Sequence, residues 1–246
     1  MPLSVTVITH NAGAQLEACL KSASFADELV VVDSGSTDNT VAIAGRQAAR
    51  IVQKEWMGFG AQKQFAVDCA SHDWVLCLDA DERVSEALRQ SILKELAIPR
   101  AQAFEMARCN RFMGRWLRHG EGYPDWSLRF FDRRRARWSD DEVHEKVLAS
   151  GPVARLGGDL LHESAESLEH YLEKQNRYTT LQAERLRKTG RTAGAFRLVL
   201  SPLARFIKFY ILRLGFLDGV PGLVHVAIGC MNSFSKYAKL IAMQRR

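Results

Sequence analysis

Two carboxylates, Asp79 and Asp81, flank Ala80 at the end of the apolar run Trp74–Leu78. Acids spaced this way can hold a hard divalent cation, directly or through water, and leave most of its shell open. Mg²⁺ takes that arrangement together with waters and substrate phosphates, so the chemistry on offer is a metal–diphosphate site. A third acid, Asp33, ends the apolar run Glu28–Asp33. Taken alone, Asp79 and Asp81 read more readily as solvated acids at a strand–helix junction, with Asp81 or Ser85 capping the helix that follows.

The elements around these acids decide between the two readings. Leu3–Thr9 is β-branched and apolar, as a buried strand should be. Helical spacing follows over Ala12–Ser24, then the strand Glu28–Asp33, the polar loop Ser34–Asp38 and a helix over Asn39–Ala49. Arg50–Val52 reads as a third strand, Ala61–Ala70 as a helix, Trp74–Leu78 as the fourth strand and Ser85–Leu96 as its helix. Four strand–helix repeats imply a parallel sheet with right-handed crossovers. That sheet brings Asp33, Asp79 and Asp81 to one edge, where a nucleotide-sized ligand can touch all three. The loop with Asp33 and Ser34 can accept hydrogen bonds from a base or ribose, and Lys63 on the intervening helix can neutralise a phosphate. No GxGxxG follows the first strand, so the dinucleotide-binding fingerprint is absent.

Beyond Pro99 the alternation stops. Ala103–Cys109 reads as a strand, Ser127–Phe131 as an edge strand, and Arg133–Arg137 as a solvated charge run. Val143–Leu148 and Val153–Leu161 read as short strands, Glu166–Lys188 as a long charged helix, and Ala195–Leu217 and Leu223–Met243 as apolar, basic helices. The expected division is a catalytic domain over 1–165 and a helical region over 166–246.

The chain has 246 residues and a net charge of +6. Nine Lys/Arg and one acid lie between 191 and 246, so this tail is +8 and residues 1–190 are −2. A basic groove for nucleic acid is therefore not expected on the sheet domain, and no nucleic-acid partner is expected. Five cysteines without a CxxC pair read as buried thiols in a reducing compartment. The N-terminus shows no signal-peptide pattern, and no uninterrupted apolar run reaches the length of a spanning helix. In the tail, Leu203, Ile207, Tyr210, Ile211, Leu214 and Leu217 share one helical face, with Arg205, Lys208 and Arg213 on another. A basic amphipathic helix of this kind lies on anionic bilayers.

The set Thr9-His10-Asn11, Val32-Asp33-Ser34-Gly35-Ser36-Thr37-Asp38-Asn39-Thr40, Lys63 and Leu78-Asp79-Ala80-Asp81 resembles the family 2 glycosyltransferases, inverting nucleotide-sugar enzymes with the GT-A fold. The resemblance implies a Rossmann-like α/β fold, a mainly parallel sheet flanked by helices, with the basic amphipathic helices appended. It implies that Asp33 contacts uracil, that Thr9 and Asn11 line the nucleotide pocket, that Asp38 orients the loop, and that Asp81 with Asp79 faces a divalent metal, Mg²⁺ or Mn²⁺. The second half, with Tyr123-Pro124-Asp125, Leu128-Arg129-Phe130-Phe131, Val143-His144-Glu145-Lys146-Val147, His162-Glu163 and Gly215-Phe216-Leu217-Asp218-Gly219, is similar to the lipopolysaccharide-core β-1,4-glucosyltransferases. That branch implies UDP-glucose as donor, an inner-core heptose as acceptor, and a peripheral place on the cytoplasmic face of the inner membrane.

Inversion needs a carboxylate base on the face opposite the leaving diphosphate. Asp79 and Asp81 sit on the leaving side, so the base is expected in Ser139–Glu145, with Glu145 first and Asp141 second. This stretch departs from the plain acid pair of the family. His144 is expected to orient the base, or to bind the metal or diphosphate. Arg129 suits phosphate by its planar fork. Trp116, Tyr123 and Trp126 can stack on sugars or simply pack. His119 and His162 lack metal-ligand spacing, and His162 reads as structural. Two other classes compete: a nucleotidyltransferase, which would release pyrophosphate, and a non-catalytic basic protein that binds membrane or nucleic acid.

Overall fold

A computed structural model of the chain describes residues 1–141, 145–164 and 167–244. They form two compact units, Met1–Arg108 with Asp125–Glu163, and Cys109–Pro124 with Ser164–Arg246. The chain runs β1 (Leu3–Thr9), α1 (Leu16–Ser22), β2 (Glu28–Asp33), α2 (Thr40–Arg46), β3 (Arg50–Gln53), α3 (Phe59–Cys69), β4 (Trp74–Asp79), β5 (Glu82–Val84), α4 (Glu86–Ala97), β6 (Ala103–Phe112), β7 (Arg115–Trp116), β8 (Asp125–Asp132), β9 (Ala136–Trp138), β10 (Val147–Ala149), β11 (Val153–His162), α5 (Leu168–Lys188), α6 (Ala195–Phe206) and α7 (Gly219–Gln244).

In the first unit the sheet order is β3-β2-β1-β4-β8-β6-β11-β5. The first four strands are parallel, as the βα repeats require. From β4 onward the pairs β4–β8, β8–β6 and β11–β5 are antiparallel. Strand β1 is buried along its whole length, so both faces of the sheet are covered. Its alternate residues Leu3, Val5 and Val7 join one core with Leu76, Phe104, Phe130 and Leu160. Ile8 packs on the other face with Val30, Val32 and Ala66. The expected edge strand over Ser127–Phe131 is the interior strand β8, between β4 and β6. Its consecutive phenylalanines explain the position: Phe130 enters the first core and Phe131 packs oppositely with Val75, Cys77 and Trp138. The short strand β5 follows the acids, and Ser85 rather than Asp81 caps α4, its Oγ accepting from the Leu88 N–H at 3.3 Å.

Glu28, at the start of β2, ties three segments together. Its carboxylate accepts from the Ser71 N–H at 2.7 Å and the Ser71 hydroxyl at 2.8 Å, from the Ser4 hydroxyl, and from Arg50. Burial pushes this carboxyl up, but the hydrogen bonds from Ser4, Ser71 and Arg50 prevail and hold it down at about 2, against 4.5. A depressed carboxylate stabilises the fold above its unfolded value and loses that contribution as pH falls toward its folded one. Glu28→Gln is therefore expected to cost on the order of 2–3 kcal/mol at pH 7. Denaturant titrations at pH 7 and pH 3 should show that cost shrinking in acid; an equal cost at both would disprove it.

The second unit consists of Cys109–Pro124, α5, α6, a widened helical turn over Ile207–Leu212, a tight turn over Gly215–Asp218, and α7. The sequence division at 165 had assigned Cys109–Pro124 to the first domain. The segment packs instead with the helices because the buried Asp218 carboxylate accepts from the N–H groups of Arg118 and His119, at 3.0 and 2.8 Å, and Glu121 pairs with Arg205. The amphipathic helix expected through Leu217 stops at Leu212, and α7 already begins at Gly219. Pro221 falls in the first turn of α7, where its missing N–H costs no helical hydrogen bond.

Candidate active site

The C-terminal ends of β1, β2 and β4 form the floor. Thr9 pairs in register with Asp33, and Ile8 with Asp79. Asp33 is buried and organises its own loop. Its Oδ2 accepts from the Gly35 and Ser36 N–H groups at 3.1 and 2.9 Å, and its Oδ1 from the hydroxyls of Thr9, at 3.0 Å, and Ser36. Burial raises this carboxyl's pKa, but the Ser36 and Thr9 hydrogen bonds outweigh burial and hold it below the ordinary range. A carboxylate has about four lone-pair sites, and these bonds occupy them, so Asp33 is committed to shaping its loop.

Asn11, which adopts the left-handed φ of 51° that asparagine tolerates, accepts from the Thr37 N–H at 2.9 Å, while its own N–H donates to Ser36 Oγ at 2.8 Å. Asp38 accepts from the N–H groups of Gly13, at 3.0 Å, and Thr40, at 2.9 Å, so it ties the two loops together and caps α2. Ser34 Oγ accepts from the buried amide of Gln62 at 3.0 Å. Asp38 thus orients the loop, as expected, and Thr9 and Asn11 also hold it.

Asp79 is held between two cations. Lys63 Nζ lies 3.0 Å from its Oδ1 and Arg129 Nη2 lies 2.7 Å from its Oδ2. Burial pushes the Asp79 carboxyl up, but Arg129 and Lys63 more than offset it and hold the group ionised. Behind it Glu82 is fully buried, accepting from the Asp79 N–H at 2.9 Å and lying 3.3 Å from Arg129 and 2.9 Å from Arg108. Burial raises the Glu82 carboxyl. Arg129, expected on a phosphate, is buried; the carboxylates of Asp79 and Glu82 hold its guanidinium charged despite burial. It also lies 5.4 Å over the Trp138 ring. Lys63 likewise does not stand free for a phosphate. Its Nζ bridges Asp79 to Glu145, 3.2 Å away.

Glu145 is thereby brought to the site on a loop pressed against the start of α3. Gly60 makes that approach possible: a Cβ there would lie 2.4 Å from the Ser139 carbonyl oxygen and 3.4 Å from Glu145 Cβ. Asp141, the second candidate base, is exposed. His144 lies outside the described residues.

Asp81 is set apart from this network. Its Oδ2 lies 3.1 Å from Nε2 of His162, at the end of β11. The two are hydrogen-bonded to each other, and the same separation matches the roughly 3.0 Å between adjacent corners of an octahedron with arms near 2.1 Å, so the pair could also take neighbouring places on one small cation. The carboxylate oxygen suits Mg²⁺ or Mn²⁺, while an imidazole nitrogen is the commoner ligand of later divalent transition metals. Among the described residues no group of three or more such side chains gathers around a common point. The pair therefore fits an ion whose remaining places go to diphosphate and water.

His162 and Glu82 are the residues that sequence reasoning missed. The only signals were His162-Glu163 as a motif and Glu82 directly following the two aspartates. Of the aromatics able to stack on sugars or simply pack, Trp126 packs on Arg155 at 4.3 Å and Trp116 on Arg111 at 5.8 Å.

Against known proteins, the sequence profile described as Glycosyl transferase family 2 matches residues 4–149. The lipopolysaccharide core biosynthesis glycosyltransferase LpsC of Rhizobium meliloti is 30% identical over 249 residues, 98% of this chain and 92% of the relative. An uncharacterized glycosyltransferase of Rickettsia typhi is 30% identical over 97% of this chain and 86% of the relative. Among solved structures, the mannosyltransferase PcManGT of Pyrobaculum calidifontis, in complex with GDP-Man and Mn²⁺, shares the fold. Its TM-score is 0.53 at 19% identity, over 99% of this chain and 86% of that one.

Proposed function

Because the chain belongs to glycosyl transferase family 2, we propose that its sheet edge binds a UDP-sugar at Asp81 and His162 and transfers the hexose, with inversion, to a lipopolysaccharide inner-core heptose. The single observation that carries this reading is the Asp81–His162 pair, set 3.1 Å apart beside a fully paired Asp79. The name of the Rhizobium relative supports the lipopolysaccharide acceptor. Glucose as the sugar, and a β-1,4 linkage, rest on the motif resemblance of the second half.

In this reading the loop Ser34–Asp38, tied by Asp33 and Asn11, receives the nucleoside. Asp81 and His162 would hold a divalent cation, which would supply charge neutralisation at the leaving diphosphate. Lys63 and Arg129 fix Asp79, and through the Asp79 N–H they fix Glu82 and the turn that aims Asp81. Glu145, held by Lys63, accepts the proton of the acceptor hydroxyl as that oxygen bonds to the anomeric carbon. The bond from that carbon to the diphosphate breaks, and UDP leaves with the electron pair.

Glu145→Gln is expected to lower acceptor-dependent UDP release by roughly 10²–10⁴-fold, the usual worth of a general base. UDP affinity by calorimetry should be unchanged. A panel of UDP-sugars with Mg²⁺ or Mn²⁺ and heptose-containing lipid acceptors tests donor and reaction class together. Pyrophosphate release in place of UDP would overturn the reading in favour of nucleotidyl transfer.

A lipid-linked acceptor requires a membrane surface, and we assign that contact to the basic helical unit, on the cytoplasmic face of the inner membrane. Among the described residues no single helix is long and apolar enough to cross a bilayer.

A further inference from the structure

Gly215-Phe216-Leu217-Asp218-Gly219 carries no chemistry in the reading above, yet the second unit builds it with care. It lies at the bend between the helical runs Ala195–Leu212 and Gly215–Gln244, which meet at 72°. Gly215 and Asp218 face inward. Gly215 is buried, and a Cβ there would lie 2.7 Å from the Phe209 carbonyl oxygen. Asp218 is buried against the Arg118 and His119 N–H groups, and its Oδ1 lies 3.1 Å from His119 Nδ1. Arg115 donates to the Leu217 carbonyl at 2.9 Å. The bend is therefore pinned from beneath by three separate residues of one segment.

The apolar side chains of the same stretch face outward. Ile211, Leu212, Leu214, Phe216, Leu217 and Val220 are each between 44% and 73% exposed. Contiguous exposed apolar surface of this kind marks an interaction site. Its charge selects the partner. From 195 to 244 the only acid is Asp218, which is buried, while Lys208 and Arg213 are exposed at the bend itself. A second copy of the chain would set cations against cations. An anionic lipid surface meets both requirements at once, taking the apolar side chains below its headgroups and the lysine and arginine among them.

We propose that residues 211–220 form a rigid wedge that enters one leaflet of an anionic bilayer, with Asp218 as the clasp that keeps its apolar side chains turned outward. This deepens the membrane contact proposed above and rests on it.

The test uses the full chain and vesicles of phosphatidylethanolamine with phosphatidylglycerol. Wild type should co-sediment with them, and the amides of 207–222 should gain protection from hydrogen exchange on binding. Phe216→Ser/Leu217→Ser should weaken vesicle affinity roughly 100-fold, from the burial of two large apolar side chains, with UDP affinity unchanged. Should that variant fold poorly, Val220→Ser, at an exposed position, should still weaken affinity several-fold. Equal vesicle affinity of wild type and the double variant, with loss in Lys208→Glu/Arg213→Glu, would overturn the wedge and leave surface adhesion intact. No vesicle binding by any form would sink both. A dimer that Phe216→Ser/Leu217→Ser dissolves would make the face a protein interface and overturn the wedge as well.

Discussion

Replacing Asp81 by alanine is expected to lower acceptor-dependent turnover by roughly a thousandfold while leaving the melting temperature nearly unchanged. A catalytic cation supplies several kcal/mol of charge stabilisation at the leaving diphosphate, and about 4 kcal/mol is three decades in rate. Stability should survive because Asp81 stands outside the buried ion network. Its side chain is part-exposed and meets His162 rather than Lys63 or Arg129. His162→Ala should raise the Mn²⁺ concentration for half-maximal activity at least tenfold, since removing even an outer-shell partner of a metal site commonly costs that much. Turnover assays across a metal titration check both. Wild-type activity and metal dependence in Asp81→Ala would remove the cation from this pair.

The opposite pattern is expected of Arg129→Ala, which should cost about 3–5 kcal/mol of stability. Arg129 is buried between Asp79 and Glu82, and breaking a buried pair by removing one partner leaves uncompensated charge behind. For a chain of this size that is a fall in melting temperature of roughly 10 °C. The pH dependence follows from the depressed Asp79 carboxyl. Its stabilising contribution is present above the unfolded carboxylate value near pH 4 and is lost as pH falls below it. Without Arg129, Glu82, already pushed up by burial, should rise further and take up a proton closer to neutrality. The gap between wild type and variant should thus be widest near pH 7 and narrow in acid. Calorimetric scans from about pH 7 down to about pH 2.5, through and below the unfolded carboxylate value, decide it; a constant gap would mean that the network contributes packing and not charge.

The parallel half of the fold was legible because each strand there is a continuous apolar run and each crossover a helix with local spacing. Strand β8 was misplaced at an edge because Ser127 and Arg129 look like a solvent-facing alternation. Arg129 is buried nonetheless, since the acids that answer its charge, Asp79 and Glu82, arrive from strands distant in sequence. His162 was passed over for the same reason. Its partner Asp81 is 81 positions away, and ligand-spacing rules see only neighbours on one element. Glu145 was found through resemblance, but not its tether to Lys63, which depends on the close approach at Gly60. Cys109–Pro124 was assigned by its place in the chain, whereas Asp218, about a hundred residues later, decides where it packs.

The interior position of β8 also sets a hazard during synthesis. When β1 to β4 have left the ribosome, the free side of β4 displays unpaired backbone groups along Trp74–Leu76, and the strand that covers them, β8, begins only at Asp125. At 5–20 residues per second the nascent chain carries that open sheet edge for roughly 2–10 seconds. Lys63 and Asp79 are by then already made, while Arg129 and Glu145 are not. A naked β4 edge is a template for pairing with another chain. Fragments ending before Asp125 should therefore aggregate during translation, and a ribosome-associated chaperone would find its site at the heart of the sheet rather than at its rim.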